Sequence, residues 1–235
     1  MASMEQFKTY LQPDNKNLFQ IFSSNMLNID WKNVSILDYG CNQGNYLNSA
    51  REYINTNKYV GTDIMLKSIM SATHIHPDCR FLHYDKWHQA WNPTGDKKLK
   101  LSNIPLGEKF DVIVCYSVFT HTTFEQTIDE LNDLKKLLNP NGIILFTIWS
   151  NEIFPMFNKW LSEKYDNIAP AESLENVNFA YWINTSKLIK DRVNYTSEDA
   201  ESFNTFYNLE WFKQNTNAMH LGRPNNQYQE LYYIR

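Results

Sequence analysis

Residues 37–44 read Leu37-Asp38-Tyr39-Gly40-Cys41-Asn42-Gln43-Gly44 and lie between a short apolar run and a segment with helical spacing. This order predicts a β-strand, a turn and then an α-helix. A glycine in the turn lets the backbone approach a ligand closely because it carries no Cβ. The first N–H groups of the helix have no partners within the helix. The segment therefore predicts a ligand-binding turn, with a plain tight turn as the alternative.

Asp63 ends a second apolar run, residues 58–63, and its carboxylate can accept hydrogen bonds from both hydroxyls of a ribose. In open α/β sheets, ligands bind beyond the carboxyl ends of the strands, where the strand order switches. Asp38 and Asp63 therefore predict a nucleoside-binding crevice. The alternative is that these acids only cap helices or stabilise turns.

The chain as a whole alternates apolar runs with helical spacing, which predicts right-handed βαβ units and a mostly parallel sheet with helices on both faces. Thr122 and Glu125 fit a capping box and predict the start of a long helix. The last two strands form a hairpin, which reverses the final strand. We expect strands at residues 34–38, 58–63, 80–83, 110–115, 142–148, 218–222 and 228–234.

Residues 149–212 are rich in aromatic side chains and interrupt this rhythm. We expect a helical or irregular insertion before the last two strands, within a single domain of residues 1–235. The insertion forms a lid or wall over an acceptor site, or its aromatic side chains fill ordinary core, since they bury large areas without needing a ligand.

The composition narrows the classes of partner. The formal net charge is −4 and no block of Lys or Arg is present, which argues against a nucleic-acid partner. No apolar run reaches the roughly 20 residues that span a bilayer, and no signal peptide is visible, so we expect a cytoplasmic protein without a membrane partner. The three cysteines are far apart and are not arranged as metal ligands, so no metal is expected.

The turn at residues 37–44 resembles the first motif of the class I S-adenosylmethionine-dependent methyltransferase family, an acid, any residue and then three alternating glycines. Asp38, Gly40 and Gly44 match this motif, and Asn42 replaces the middle glycine. Asn tolerates a positive φ better than most residues, so the turn is expected to persist.

The resemblance extends beyond the first motif and covers residues 15–148 and 208–235. Asp63 matches the family's ribose-binding acid, and Asp85 matches its acid on the adenine side. Residues 115–121 resemble the motif of the fourth strand, which borders the methyl group. The resemblance implies a Rossmann-like, seven-stranded sheet with an antiparallel terminal strand.

The resemblance also implies S-adenosylmethionine as cofactor, S-adenosylhomocysteine as product and a set of contact residues. The implied cofactor contacts are Asp38 near the methionine end, Gly40, Cys41 and Gly44 along the turn, Asp63 on the ribose, Ile64 and Met65 against adenine, Asp85 at the adenine amino group with Lys86 adjoining, and Ser117 in the motif that borders the methyl group. Tyr39 and Tyr116 are candidates to stabilise the cationic sulfonium with their aromatic faces, and core packing is the alternative.

The expected activity is methyl transfer to a small-molecule acceptor, with an oxygen of a sugar-like molecule or secondary metabolite as the target. His121 is the candidate base, because neutral imidazole titrates near working pH; alternatively it caps or packs beside the next helix. A nicotinamide-dependent oxidoreductase is one alternative, although the spacing of Gly40 and Gly44 departs from G-x-G-x-x-G. A binding module without catalysis is the other.

Overall fold

A computed structural model describes residues 17–24, 27–88, 91–157, 159, 180–184, 203–224 and 228–235. Within these ranges the α-helices are α1 (Leu18–Ser23), α2 (Asn45–Ala50), α3 (Leu66–Ile75), α4 (Phe124–Lys135) and α5 (Leu209–Asn215). The strands are β1 (Ile36–Tyr39), β2 (Tyr59–Asp63), β3 (Arg80–His83), β4 (Phe110–Cys115), β5 (Leu138–Ser150), β6 (Ala180–Asn184), β7 (Phe203–Tyr207), β8 (Met219–Gly222) and β9 (Gln229–Ile234). No helix in the described part of the chain is both long and apolar enough to cross a membrane.

The parallel part of the sheet has the order β3-β2-β1-β4-β5. Strand β9 lies antiparallel beside β5, and β8 pairs with the outer side of β9. The chain leaves β1 towards β2 and β3 and then returns to the other side of β1 as β4. The strand order therefore switches at the end of β1, which is where α/β sheets bind ligands.

The strands of the sheet are covered on both faces. Ile36, Val112 and Val114 share a core with α1 and α2, whereas Leu37 and Ile113 share a core with α4. This alternation follows from the period of two in a β-strand. The predicted Rossmann-like fold class, with helices on both faces and a reversed terminal strand, is confirmed.

The sheet is larger than the seven strands that the sequence predicted, because the region expected to be helical contributes β6 and β7. Strand β5 extends to Ser150, beyond the end of β4 at Cys115, and its last residues have an open edge there. Strand β7 pairs with that edge, with Trp149 opposite Phe206 and Ser150 opposite Tyr207. An unpaired strand edge is filled by a strand because its N–H and C=O groups need partners.

Six of the aromatic side chains that the structure describes in this region are buried core residues: Trp149, Phe154, Phe157, Phe206, Tyr207 and Phe212. Trp149, Phe154 and Phe157 pack around Phe206, with ring centroids 5.1, 5.3 and 5.2 Å from it. Residues 160–179 and 185–202, which contain much of the expected lid, lie outside the described residues.

The predicted capping box of α4 is shifted by one residue. Thr123 is the N-cap and accepts a hydrogen bond from the Gln126 amide, while the Gln126 side chain accepts one from the Thr123 amide. Thr122 is buried instead, with its hydroxyl 2.7 Å from that of Thr127. Both pairs fit the capping-box spacing, and burial of Thr122 decides between them.

Candidate functional site

The turn after β1 is held tightly against the end of β2. The amides of Gly40 and Cys41 both donate to the Thr62 carbonyl, at 2.8 and 2.9 Å. Gly40 has φ +78°, and a Cβ there would lie 2.5 Å from Cγ2 of Val118. Only glycine fits this position, because it tolerates positive φ and has no side chain to meet the loop after β4.

Asp63 closes the same turn from β2. Its Oδ2 accepts from the Asn42 amide and its Oδ1 from the Met65 amide, each at 2.8 Å. Asn42 adopts φ +51°, so the replacement of the middle glycine leaves the turn intact. Burial raises the pKa of Asp63 while these backbone donors oppose the rise. Each carboxylate oxygen keeps capacity to accept a further hydrogen bond from a ligand.

Asp38 lies buried on the α1 and α2 face of the sheet, and its Oδ2 accepts a 2.7 Å hydrogen bond from the Tyr59 hydroxyl. Burial raises the pKa of Asp38 to about 7, the Tyr59 hydrogen bond opposes that rise, and the charge of Asp63 adds to it. Among the described residues, the nearby Tyr46 hydroxyl is buried without a hydrogen-bond partner. Burial raises the pKa of the Tyr46 hydroxyl, and the charge of Asp38 adds to that rise.

A second charged cluster lies on the opposite face. The Tyr39 hydroxyl donates to Oε2 of Glu130 at 2.9 Å, and Nζ of Lys86 lies 3.0 Å from Oε1. The sequence reasoning missed Glu130, Tyr46 and Tyr59. Glu130 could have been found, because it stands one position before Leu131 on the apolar stripe of α4, where an acid needs a buried partner.

One cavity of about 740 Å³ brings most of the predicted site residues together. The predicted residues in its lining are Asp38, Tyr39, Gly40, Cys41, Asp63, Ile64, Met65, Lys86, Tyr116, Ser117 and His121. Gly44 and Asp85 are absent from the lining; Gly44 is the N-cap of α2, and the exposed Asp85 accepts a hydrogen bond from Asn92. In the described part of the chain, no three side chains are grouped so that they could hold a metal ion.

The loop after β4 is fixed by a network that reaches across the sheet. Ser117 adopts φ +56°, and its amide donates to Oγ1 of Thr147 at 2.9 Å. Gln229 of β9 donates to the Ser117 hydroxyl at 3.0 Å and accepts from Thr147. A non-glycine residue at positive φ persists only where its surroundings hold it, so the terminal strand positions this wall of the cavity.

His121 lines the cavity at the end of this loop, with its ring 4.7 Å from the Trp91 ring in an edge-on arrangement. His88 stacks on Trp91 at 4.6 Å, and its Nε2 lies 3.2 Å from the His121 carbonyl. A contact with a carbonyl requires the proton on Nε2, and burial lowers the pKa of His88. His88 is therefore a neutral support for the His121 loop.

Comparisons with known proteins agree with this geometry. Residues 37–144 match the family model described as a methyltransferase domain. A S-adenosylmethionine-dependent methyltransferase from Clostridium acetobutylicum has a similar structure, with TM-score 0.56, 14% identity and coverage of 97% of this chain and 94% of its own. A S-adenosylmethionine-dependent methyltransferase from Mesorhizobium loti is also similar, with TM-score 0.53, 11% identity and coverage of 94% of this chain and 99% of its own.

A complex of DhpI with SAM and HEP is also similar, with TM-score 0.55, 9% identity and coverage of 98% of this chain and 91% of its own. At these identities the solved structures establish the shared fold, and the match to the methyltransferase-domain model is confined to residues 37–144. The match covers the turn after β1, Asp63 and the loop after β4, which are the parts that build the cavity. Residues 37–144 are therefore similar to a methyltransferase domain, and the chain shares the fold of the S-adenosylmethionine-dependent methyltransferases compared above.

Proposed function

We propose that the protein transfers the methyl group of S-adenosylmethionine to an oxygen of a small-molecule acceptor, with a sugar-like molecule as the acceptor class. The observation that carries this proposal is the cavity that joins the glycine turn and Asp63 to His121. Its volume of about 740 Å³ falls within the range of roughly 300–1,000 Å³ that is usual for small-molecule sites.

The residues of the cavity fit the cofactor. The bare backbone at Gly40 allows close approach of a ligand, and the Tyr46 hydroxyl offers a buried donor that the described residues leave unused. Asp63 presents two fixed carboxylate oxygens to a ribose, and Asp38 presents a carboxylate to the cationic methionine end. When bound, S-adenosylmethionine supplies an electrophilic methyl group on a sulfonium.

The role of Tyr46 gives a prediction about the methionine end. Tyr46→Phe is expected to weaken binding of S-adenosylhomocysteine about tenfold, because a hydrogen bond from a buried hydroxyl to a ligand carboxylate is lost. Binding of 5′-methylthioadenosine, which lacks the amino-acid part, is expected to stay unchanged. Calorimetric titration of both ligands checks this. An equal loss for the two ligands would place the Tyr46 hydroxyl elsewhere.

Methyl transfer is an in-line displacement, so the protein mainly has to align the acceptor oxygen and exclude water. An alcohol acceptor also gains from a base that removes its proton. His121 meets the positional requirement, since it lines the cavity beside the Ser117 loop. The His88 ring has both nitrogens engaged, Nε2 with the His121 carbonyl and Nδ1 with the Trp91 amide at 3.4 Å, and we assign it no role as base.

His121→Gln is expected to lower kcat at least 100-fold with an alcohol acceptor, the lower end of what a general base contributes. Binding of S-adenosylhomocysteine is expected to stay within twofold of the wild type. The measurement is release of S-adenosylhomocysteine in a screen of hydroxylated small molecules. His74→Gln is the matched control, because His74 is exposed on α3 and is not part of the cavity lining. Unchanged turnover in His121→Gln would contradict the role as base.

The first experiment is calorimetric titration of the wild type with S-adenosylmethionine, S-adenosylhomocysteine and NADH. We expect micromolar binding of the first two ligands and no binding of the third. Binding of NADH alone would favour the oxidoreductase. Binding of S-adenosylmethionine without turnover on any acceptor would favour a binding module that lacks catalysis.

A further inference from the structure

The acid that follows β3, Asp85, is not part of the cavity lining. Oδ1 of Asp85 accepts from Nδ2 of Asn92 at 2.9 Å, and the Asp85 carbonyl accepts from the Asp96 amide at 2.9 Å. Nδ2 of Asn92 also donates to the Lys86 carbonyl at 2.9 Å. The Asp85 carboxylate is exposed, serves its own loop and is not part of the cavity lining, so groups inside the cavity are better placed to meet the base of a bound nucleoside.

Lys86 and Glu130 offer such a group inside the cavity. Their side chains are only 12% and 9% exposed, and both line the cavity. Nζ of Lys86 lies 3.0 Å from Oε1 of Glu130, and the Tyr39 hydroxyl fixes the other carboxylate oxygen. The carboxylate comes from α4 and the ammonium from the loop after β3, so the fold brings the pair together and Tyr39 of β1 orients it.

The position of this pair relative to Asp63 suits a base attached to a bound ribose. The Asp63 carbonyl accepts from the Tyr84 amide at 2.9 Å, and the Tyr84 carbonyl accepts from the Lys86 amide at 2.7 Å. Two successive backbone hydrogen bonds therefore connect Lys86, through Tyr84, to Asp63 at the end of β2. In the function proposed above, the methionine end of the ligand lies towards Gly40 and Asp38, which leaves the Lys86 side of Asp63 for the base.

The chemistry of the pair matches the edge of adenine. A carboxylate only accepts hydrogen bonds, and a lysine ammonium only donates them. The adenine edge presents the reverse arrangement, a donor at the exocyclic amino group beside an acceptor at ring nitrogen N1. On the footing of the function proposed above, we propose that Glu130 accepts from the adenine amino group, that Lys86 donates to N1, and that Asp85 does not recognise the base.

The test compares S-adenosylhomocysteine with S-inosylhomocysteine, which presents an acceptor at position 6 and a donor at N1. The wild type is expected to prefer the adenine ligand at least 30-fold, because buried polar groups left unpaired reject the wrong pattern. Glu130→Gln is expected to lower this preference at least tenfold, because the amide can donate to the inosine oxygen. Asp85→Asn is the matched control and is expected to keep the wild-type preference.

Dissociation constants from calorimetry decide the outcome, and thermal melting verifies that each variant is folded. If Glu130→Gln does not fold, Lys86→Gln replaces it and is expected to lower the preference by a similar factor, since its amide can accept from N1 of inosine. The inference would be overturned if Asp85→Asn lost the preference for S-adenosylhomocysteine over S-inosylhomocysteine. It would also be overturned if Glu130→Gln and Lys86→Gln both kept that preference. Failure of the wild type to bind S-adenosylhomocysteine at all would instead refute the proposed function.

Discussion

Asp63→Ala is expected to lower the affinity for S-adenosylmethionine and S-adenosylhomocysteine by between about 100-fold and 10,000-fold. Each hydrogen bond from a ribose hydroxyl to a buried carboxylate contributes roughly 1.5–3 kcal/mol, and the substitution removes two of them. The same change frees the amides of Asn42 and Met65, which Asp63 holds at 2.8 Å. The turn therefore loses its closure as well as its ligand contact.

Calorimetric titration checks this result, with thermal melting to establish that the variant is folded. Asp85→Asn is the control, because Asp85 follows the adjacent strand but is not part of the cavity lining. Asp63→Asn separates the two roles of the carboxylate, since an amide keeps one acceptor oxygen. Micromolar binding in Asp63→Ala would remove the ribose contact from the proposal.

Asp38→Asn is expected to stabilise the ligand-free protein at pH 8 while it weakens cofactor binding. The pKa of Asp38 is raised from 3.8 to about 7, mainly by burial, so the folded state holds a proton that the unfolded state releases. Ionised Asp38 then costs on the order of 4 kcal/mol of folding free energy above pH 7. An asparagine at this position can still accept a hydrogen bond from the Tyr59 hydroxyl, and it carries no charge whose burial would destabilise the folded state.

The sign of the pH dependence follows from the raised pKa. The contribution of Asp38 to stability is fully present below pH 3.8 and is lost as the pH rises through about 7. The difference in unfolding free energy between the variant and the wild type should therefore grow from near zero at pH 4 to its full size at pH 8. Urea unfolding at several pH values measures this difference. A difference that does not change with pH would show that Asp38 has an ordinary pKa.

Cofactor binding should also depend on the protonation state of Asp38. A cationic ligand group beside Asp38 favours the carboxylate, so binding near pH 7 is expected to release about half a proton. Calorimetry in two buffers with different ionisation enthalpies measures that release. Asp38→Asn is expected to bind at least tenfold more weakly and to release no proton from this position. Equal release in wild type and variant would assign the proton to another residue.

Asp38 thus lowers the stability of the ligand-free protein and strengthens cofactor binding. Asp38 and Asp63 are both buried, and burial raises the pKa of each. Their proximity makes the empty crevice electrostatically unfavourable, and a cation relieves it. Sites of this kind are commonly built at a cost in stability, because a preorganised charge is poorly solvated before the ligand arrives.

The sequence by itself determined the alternation of strands and helices and the positions of Asp38 and Asp63. These features depend on local rules, the period of two in strands and the chemistry of turns after them. Strands β3 and β4 begin and end where the sequence predicted, at Arg80–His83 and Phe110–Cys115. Parallel strands align their carboxyl ends, so acids near the ends of β1 and β2 had to meet at one edge.

Only the tertiary structure decided which side chains complete the cavity. Tyr59 reaches Asp38 because β1 and β2 pair in one register, and Glu130 reaches Lys86 because α4 packs against the face that Tyr39 occupies. Asp85 is not part of the cavity lining, and its carboxylate accepts a hydrogen bond from Asn92 of its own loop. Distances between residues of one helix or strand follow from its repeat along the sequence. Distances between residues of different elements depend on tertiary packing, which the local sequence pattern does not specify.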